Sequence, residues 1–117
     1  MPLQIINSFA TWILKKRIHQ MELFLKYPHE VQEELLFNLI KASENTQLGK
    51  KYDFSSMKSY TSFSERIPVS TYEELEPLIE KTRQGEQNVF WHSNIKWFAK
   101  SSGTTNAKSK FIPVSSE

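Results

Sequence analysis

One stretch of the sequence has a residue content that folding alone does not explain: the run SSGTTNAKSK at residues 101–110. Its first five positions hold four hydroxyl side chains and a glycine, and Lys108 and Lys110 close it. Hydroxyls and the exposed N–H groups of a glycine-containing turn can surround phosphate oxygens, and lysine neutralises their charge. The run is therefore suited to binding a phosphate or another anion.

The same composition is also typical of a solvated hairpin connection, because Ser, Thr, Asn and Gly are ordinary turn formers. Taken alone, the run leaves both interpretations open. A Walker A loop is disfavoured, since that motif needs a second glycine directly before Lys-Ser/Thr, five positions after the first. Here Ala107 precedes Lys108, and the spacing from Gly103 is wrong.

Two strand-like segments, residues 95–100 and 110–114, flank the run and predict a strand-loop-strand hairpin. Far upstream, residues 3–26 repeat apolar side chains every three or four positions, which predicts a long amphipathic helix. Pro28 ends that helix, because it has no N–H and disfavours helical geometry at the residue before it. Proline is equally suited to begin a helix, so we expect a second one from Pro28 to about residue 45.

Between the second helix and the hairpin, residues 46–60 are rich in Ser, Thr, Lys and Gly, and predict irregular structure with a short turn. The segments 62–65 and 70–73 each place a hydroxyl residue three positions before a glutamate, the capping-box pattern of a helix start. Proline is poorly suited to a helix interior. We therefore expect only a short turn before Pro77, and a separate helix from Pro77 to Arg83.

The first helix also carries a Trp and three consecutive basic residues, Lys15, Lys16 and Arg17, which we assign to its polar arc. A basic amphipathic helix can lie on a membrane surface or in the groove of a partner protein. We prefer a simpler interpretation, in which the apolar side packs on the helix's own domain and the basic side is solvated.

Charge and composition narrow the class of protein. The net charge of +2 is too small to indicate nucleic-acid binding, although residues 87–116 contain four lysines and no acid. The absence of cysteine excludes disulfides and thiolate metal sites, and the three histidines are far apart in sequence, so no metal site is predicted. No apolar run is long enough to cross a bilayer and the N-terminus does not resemble a secretory signal. We therefore expect no stable membrane insertion and a cytoplasmic location.

Several motifs in a fixed order resemble one protein family. The run Ser101-Ser102-Gly103-Thr104-Thr105, followed by Lys110 and Pro113, resembles the first ATP-phosphate motif of the acyl-CoA synthetase and luciferase superfamily of adenylate-forming enzymes. More narrowly, the chain resembles the auxin-responsive promoter family, whose characterised members are acyl acid amido synthetases. The other residues in the family's order are Asn45-Thr46, Gly49-Lys50, Tyr52, Phe63, Ile67-Pro68-Val69, Tyr72-Glu73, Pro77, Ile79, Gly85-Glu86 and Phe98.

Together with the predicted elements, the resemblance implies an α+β fold: a mostly helical N-terminal segment that ends in a phosphate-binding hairpin. Residues 1–117 would be an incomplete piece of the large α/β N-terminal domain of an adenylate-forming enzyme. Two helices would occupy residues 3–45, short helices and loops residues 46–90, and the hairpin residues 95–114. We expect this piece alone to be inactive as a ligase, and exposed strand edges would allow it to self-associate.

The resemblance also implies a two-step reaction. A carboxylic acid attacks the α-phosphorus of ATP to give an acyl-adenylate and pyrophosphate, and an amine, typically that of an amino acid, then displaces AMP. Mg²⁺ would accompany the nucleotide. Six residues of this chain would bind the ATP phosphates as hydroxyl donors, close-approach glycine and cation: Ser101, Ser102, Thr104, Thr105, Gly103 and Lys110. Catalytic residues are not assigned. The family's frequent second glycine is replaced by Ala107, which predicts a stiffer loop.

A second hypothesis comes from another class of protein. The chain would be a non-enzymatic helical adaptor that binds a partner or a membrane surface through its basic N-terminal helix. The run at 101–110 would then be a plain hairpin connection.

Overall fold

The computed structural model describes residues 2–102 and 108–117, with side chains from residue 4 onward. Over these ranges the fold is mostly helical and ends in one antiparallel hairpin, which confirms the α+β class. The elements are α1 (Pro2–Lys26), α2 (Pro28–Ser43), α3 (Gln47–Lys51), a 3₁₀ turn (Phe54–Ser56), α4 (Tyr60–Arg66), α5 (Tyr72–Arg83), β1 (Trp97–Ser101) and β2 (Lys110–Val114). The chain divides into two compact units, residues 1–36 and 37–117.

The first unit confirms the predicted boundary between the two long helices. α1 ends at Lys26, and Pro28 begins α2. The break is narrow, since the N–H of Tyr27 still donates to the carbonyl of Leu23 at 2.8 Å and the N–H of Val31 donates to the carbonyl of Tyr27 at 3.1 Å. Among the described residues, no helix has the length and apolar content needed to span a bilayer.

The expectation that α1 packs its apolar side on its own domain stays a prediction, and within the described residues this side is exposed. Every residue from 4 to 26 is exposed, including large side chains such as Trp12 at 60% and Met21 at 61%. The expectation that Lys15, Lys16 and Arg17 share one polar arc is wrong, because consecutive residues lie 100° apart on a helix and point in different directions. The ammonium group of Lys16 lies 5.8 Å from the ring centroid of Trp12, on the aromatic side.

The second unit has a small core that joins elements distant in sequence. Its buried apolar side chains come from α2, the 3₁₀ turn and its end, α5, and the segment before the hairpin: Ile40, Phe54, Met57, Ile79 and Val89. Two N–H groups at the start of α3, those of Gln47 and Leu48, donate to the carbonyls of Asn88 and Val89 at 2.9 and 3.0 Å. The segment that leads to the hairpin is therefore anchored on α3.

The prediction of irregular structure for residues 46–60 is wrong, because local caps order this segment. Thr46 is fully buried, and its hydroxyl accepts the N–H of Gly49 at 3.0 Å and donates to the carbonyl of Ser43 at 2.7 Å. Beyond α3, the guanidinium of Arg66 donates to the carbonyl of Asp53 at 2.9 Å and holds the 3₁₀ turn against the end of α4.

The capping boxes and the helix around Pro77 also differ from prediction. The boxes are Ser59 with Ser62, and Thr71 with Glu74, so the true caps lie three residues and one residue away from those expected. α5 is a single helix with Pro77 inside it. Pro77 removes one hydrogen bond to the carbonyl of Glu73, but Glu73 is exposed and water can satisfy that carbonyl, while the capping box stabilises the first turn.

The hairpin confirms both predicted strands, with β1 beginning two residues later than expected. Its register pairs Ser101 with Lys110 at the end next to the connecting loop and Trp97 with Val114 at the open end. Ile95 stays outside β1 because its N–H donates to the side-chain oxygen of Gln87 at 2.9 Å.

Candidate phosphate-binding site

The described members of the 101–110 run converge at one end of the hairpin. Ser101 ends β1 and lies opposite Lys110, which begins β2; Ser102 follows on the first arm, and Lys108 and Ser109 precede Lys110 on the second. Ser101, Ser102 and Lys108 are exposed, and Lys110 is partly so. The register therefore places these two serines and two lysines at the loop end of the hairpin.

Three of the six predicted phosphate-binding residues, Gly103, Thr104 and Thr105, lie outside the described residues, as does Ala107. Their roles, and the stiffness predicted for the loop, stay predictions. The described residues on the two arms of the hairpin flank this stretch on both sides and define the geometry of the site.

α5 fastens the second arm of the hairpin through a residue that sequence reasoning did not assign to the site. The N–H of Phe111 donates to the hydroxyl of Tyr72 at 2.9 Å, and that hydroxyl donates to the carbonyl of Phe111 at 3.4 Å. Because both polar backbone groups of Phe111 bond to Tyr72, they point away from β1, and Phe111 and Lys100 form a non-hydrogen-bonded pair of the ladder. Tyr72 thus occupies the place that another strand would take.

This contact covers part of one of the two strand edges expected to be open, the outer edge of β2. On the outer side of β2, the N–H of Phe111 is already bound by Tyr72, and Pro113 has no N–H to donate. Both features disfavour further pairing along this edge of β2. Self-association of the chain stays a prediction.

The charge at the site is mixed, because α5 brings acids to the lysines. The ammonium group of Lys110 lies 3.8 Å from a carboxylate oxygen of Glu73 and 5.3 Å from the ring centroid of Tyr72. A cavity of about 240 Å³ is bounded by these three residues together with Glu76 and Lys108. The sequence between residues 87 and 116 has no acid, so its local composition gave no signal of this neighbourhood.

At the other end of α5, Arg83 braces the same residue of β2. Its guanidinium carbon lies 3.8 Å from the ring centroid of Phe111, and it also pairs with Glu80 at 2.9 Å. A cation stacked on an aromatic face is stabilising. Both ends of α5 therefore contact Phe111, one residue away from Lys110.

The donor set fits phosphate oxygens. Ser101 and Ser102 offer exposed hydroxyls, and Lys108 and Lys110 offer only donor groups. The described residues contain no group of three or more metal-ligating acid or histidine side chains. Mg²⁺ usually keeps several waters and binds mainly through substrate phosphates, so a nucleotide needs no all-protein cage for its magnesium ion.

Comparison with known proteins identifies the relatives of the chain. The model of the GH3 family N-terminal domain matches residues 17–117. An indole-3-acetic acid-amido synthetase, GH3.2 from Arabidopsis thaliana, is 30% identical over 103 residues, which is 87% of this chain and 19% of the relative. The jasmonoyl--L-amino acid synthetase JAR4 from Nicotiana attenuata is 29% identical over 101 residues, 86% of this chain and 18% of the relative.

The chain thus spans about a fifth of the length of these curated relatives, and the family match begins inside α1. The matched region contains all of the second unit, with α5, the hairpin and the residues of the candidate phosphate site. The chain belongs to the GH3 family, as the ordered motifs of its sequence predict.

Proposed function

We propose that the chain is the N-terminal part of an ATP-dependent acyl acid amido synthetase, which activates a carboxylic acid as an acyl-adenylate and joins it to an amine or amino acid. The family match and the relatives named as amido synthetases support this proposal. The observation that carries it is the convergence of Ser101, Ser102, Lys108 and Lys110 at one end of the hairpin. A cytoplasmic location stays a prediction from sequence.

In this proposal the hairpin binds the phosphates of ATP. ATP supplies the pyrophosphate leaving group and the AMP that activates the acid. The ammonium groups of Lys108 and Lys110 neutralise phosphate oxygens, and the serine hydroxyls at the end of β1 donate hydrogen bonds to them. Donors that are already in place cost little reorganisation when charge develops on the leaving group. The rigid support for these donors comes from β1, β2 and α5.

The experiment that tests this function is pyrophosphate release from ATP in the full-length protein with a panel of carboxylic acids. We expect release that depends on one class of acid and is lost in Lys110→Ala. Lys96→Ala is the matched control, because Lys96 is exposed and precedes β1, and it should retain activity. The 117-residue chain alone should release none. Silence of a folded full-length protein across the whole panel would contradict the proposal.

The adaptor hypothesis is supported by one observation, the exposed apolar side of α1 beside Lys15, Lys16 and Arg17. Such a helix could bind a partner or a membrane surface. A double substitution in α1 distinguishes the two functions. Lys15→Glu with Lys16→Glu should leave acid-dependent pyrophosphate release intact if the chain is a synthetase part, and should abolish partner or membrane binding if it is an adaptor.

A further inference from the structure

Two adjacent residues at the start of α5, Tyr72 and Glu73, contact the second arm of the hairpin. Tyr72 binds the backbone of Phe111, the residue after Lys110, and Glu73 lies near the side chain of Lys110. We propose that both position the phosphate site: Tyr72 fixes the β2 arm, and Glu73 holds the ammonium group of Lys110 until a polyphosphate displaces it. This inference rests on the proposed function and deepens it. It means that α5 positions Lys110, the cation of the proposed phosphate-binding motif.

Tyr72 acts through the backbone of β2. One hydroxyl binds both the N–H and the carbonyl of Phe111, at 2.9 and 3.4 Å, and the Tyr72 side chain is partly buried. The residue so fixed directly follows Lys110 in the chain. The position of the Lys110 Cα is therefore set by a contact from a helix 39 residues earlier in sequence.

Glu73 acts on the side chain of Lys110. The 3.8 Å between the ammonium nitrogen and the carboxylate oxygen is an ion-pair distance too long for a hydrogen bond. The side chains of Lys110 and Glu73 are 42% and 69% exposed, so solvent screens the pair and its attraction is weak. A weak partner can orient the ammonium group without preventing its transfer to a phosphate.

Glu73 also has a stable alternative once it is displaced. It lies in the first turn of α5, where a negative charge interacts favourably with the helix dipole and remains hydrated. A polyphosphate, with several charges, competes for Lys110 better than a singly charged anion does. The pair should therefore favour ATP over small monovalent anions.

The test of Glu73 is the affinity of the full-length protein for ATP with Mg²⁺. Glu73→Gln removes the competing charge and should tighten binding about two- to five-fold, the range of an exposed ion pair. In a Lys110→Ala background the same change should have no effect, because the competed cation is gone. Glu65→Gln, an exposed glutamate of α4, is the neutral control.

Equal affinity of Glu73→Gln and wild type would overturn the role of Glu73, and so would an equal gain in the Lys110→Ala background. If wild type does not bind ATP at all, the proposed function and the role of Glu73 both fail. If wild type binds and only the Glu73 effect is missing, the proposed function survives and the inference about Glu73 does not.

The main test of Tyr72 is an amide-exchange measurement that needs no ATP. Tyr72→Phe keeps the ring and removes the hydroxyl, so the amide of Phe111 should exchange with solvent about tenfold faster, the loss expected for one hydrogen bond. The same variant should weaken ATP binding and leave the exchange of α3 amides unchanged. Tyr60→Phe, at an exposed tyrosine in the first turn of α4, is the matched control. Unchanged protection of the Phe111 amide in Tyr72→Phe would refute its role.

Discussion

Gly49 lies at a position in the second unit where the packing leaves no room for a side chain. It is buried in α3, next to the turn that connects α2 with α3. A Cβ atom at this position would lie 2.1 Å from the carbonyl oxygen of Ser43 and 2.8 Å from that of Glu44. Both atoms belong to the backbone and cannot rotate away. Gly49→Ala therefore forces the turn between α2 and α3 to move.

The cost can be estimated from the bonds at that turn. The carbonyl of Ser43 accepts the N–H of Thr46 at 3.1 Å and its hydroxyl at 2.7 Å. Moving the carbonyl weakens both bonds, at about 1 kcal/mol each, and the overpacking itself costs about 1–3 kcal/mol. We expect Gly49→Ala to reduce the free energy of unfolding by about 3–5 kcal/mol, a large share of the 5–15 kcal/mol typical of a domain.

Urea denaturation followed by circular dichroism measures this loss. Gly85→Ala is the matched control, because a Cβ there meets nothing within 4 Å but the residue has a φ of +102°. It should lose only the backbone strain, about 1 kcal/mol. A Gly49→Ala variant within 0.5 kcal/mol of wild type, or one no worse than Gly85→Ala, would refute the steric explanation.

Two further changes test the caps and the charge of the same unit. Thr46→Val should reduce the free energy of unfolding by about 2 kcal/mol, because it removes the fully buried hydroxyl that caps α3; the urea midpoint checks it, and Thr61→Val at an exposed site should have little effect. Hydrogen bonds from Ser56 and Ser55 hold the pKa of Asp53 below its ordinary value of 3.8, desolvation opposes them, and the positive charge of Arg66 also lowers it. A lowered pKa in the folded state means that the ionised carboxylate stabilises the fold above about pH 4 and that this stabilisation is lost as the pH falls through the folded-state pKa. Asp53→Asn should therefore flatten the decline of stability between pH 5 and 2, and an unchanged decline would contradict this role.

Features set by local chemistry could be predicted from the sequence. Pro28 fixes the boundary between α1 and α2 because its effect depends only on its neighbours in the chain. The hairpin was predictable because its two strands and polar connection are contiguous in sequence, and the family was predictable from the order of the motifs.

Features set by distant contacts could not be predicted. Nothing in the spacing of Tyr72 and Phe111 indicates that they bond across 39 residues. For the same reason the acids of α5 near Lys110 were missed. The position of Pro77 was predicted wrongly for a different reason. Proline disfavours a helix interior, but in α5 the capping box stabilises the first turn and the freed carbonyl is exposed to water, so the helix continues through Pro77.

The most direct measurement of the central claim is the dissociation constant for ATP with Mg²⁺ of the full-length protein, compared with Lys110→Ala and Lys96→Ala. A charged hydrogen bond to phosphate is worth about 1.5–3 kcal/mol, so Lys110→Ala should weaken binding by at least tenfold, and Lys96→Ala by less than twofold. Equal affinities for wild type and Lys110→Ala would show that this end of the hairpin does not bind the nucleotide, and would contradict the assignment of the site.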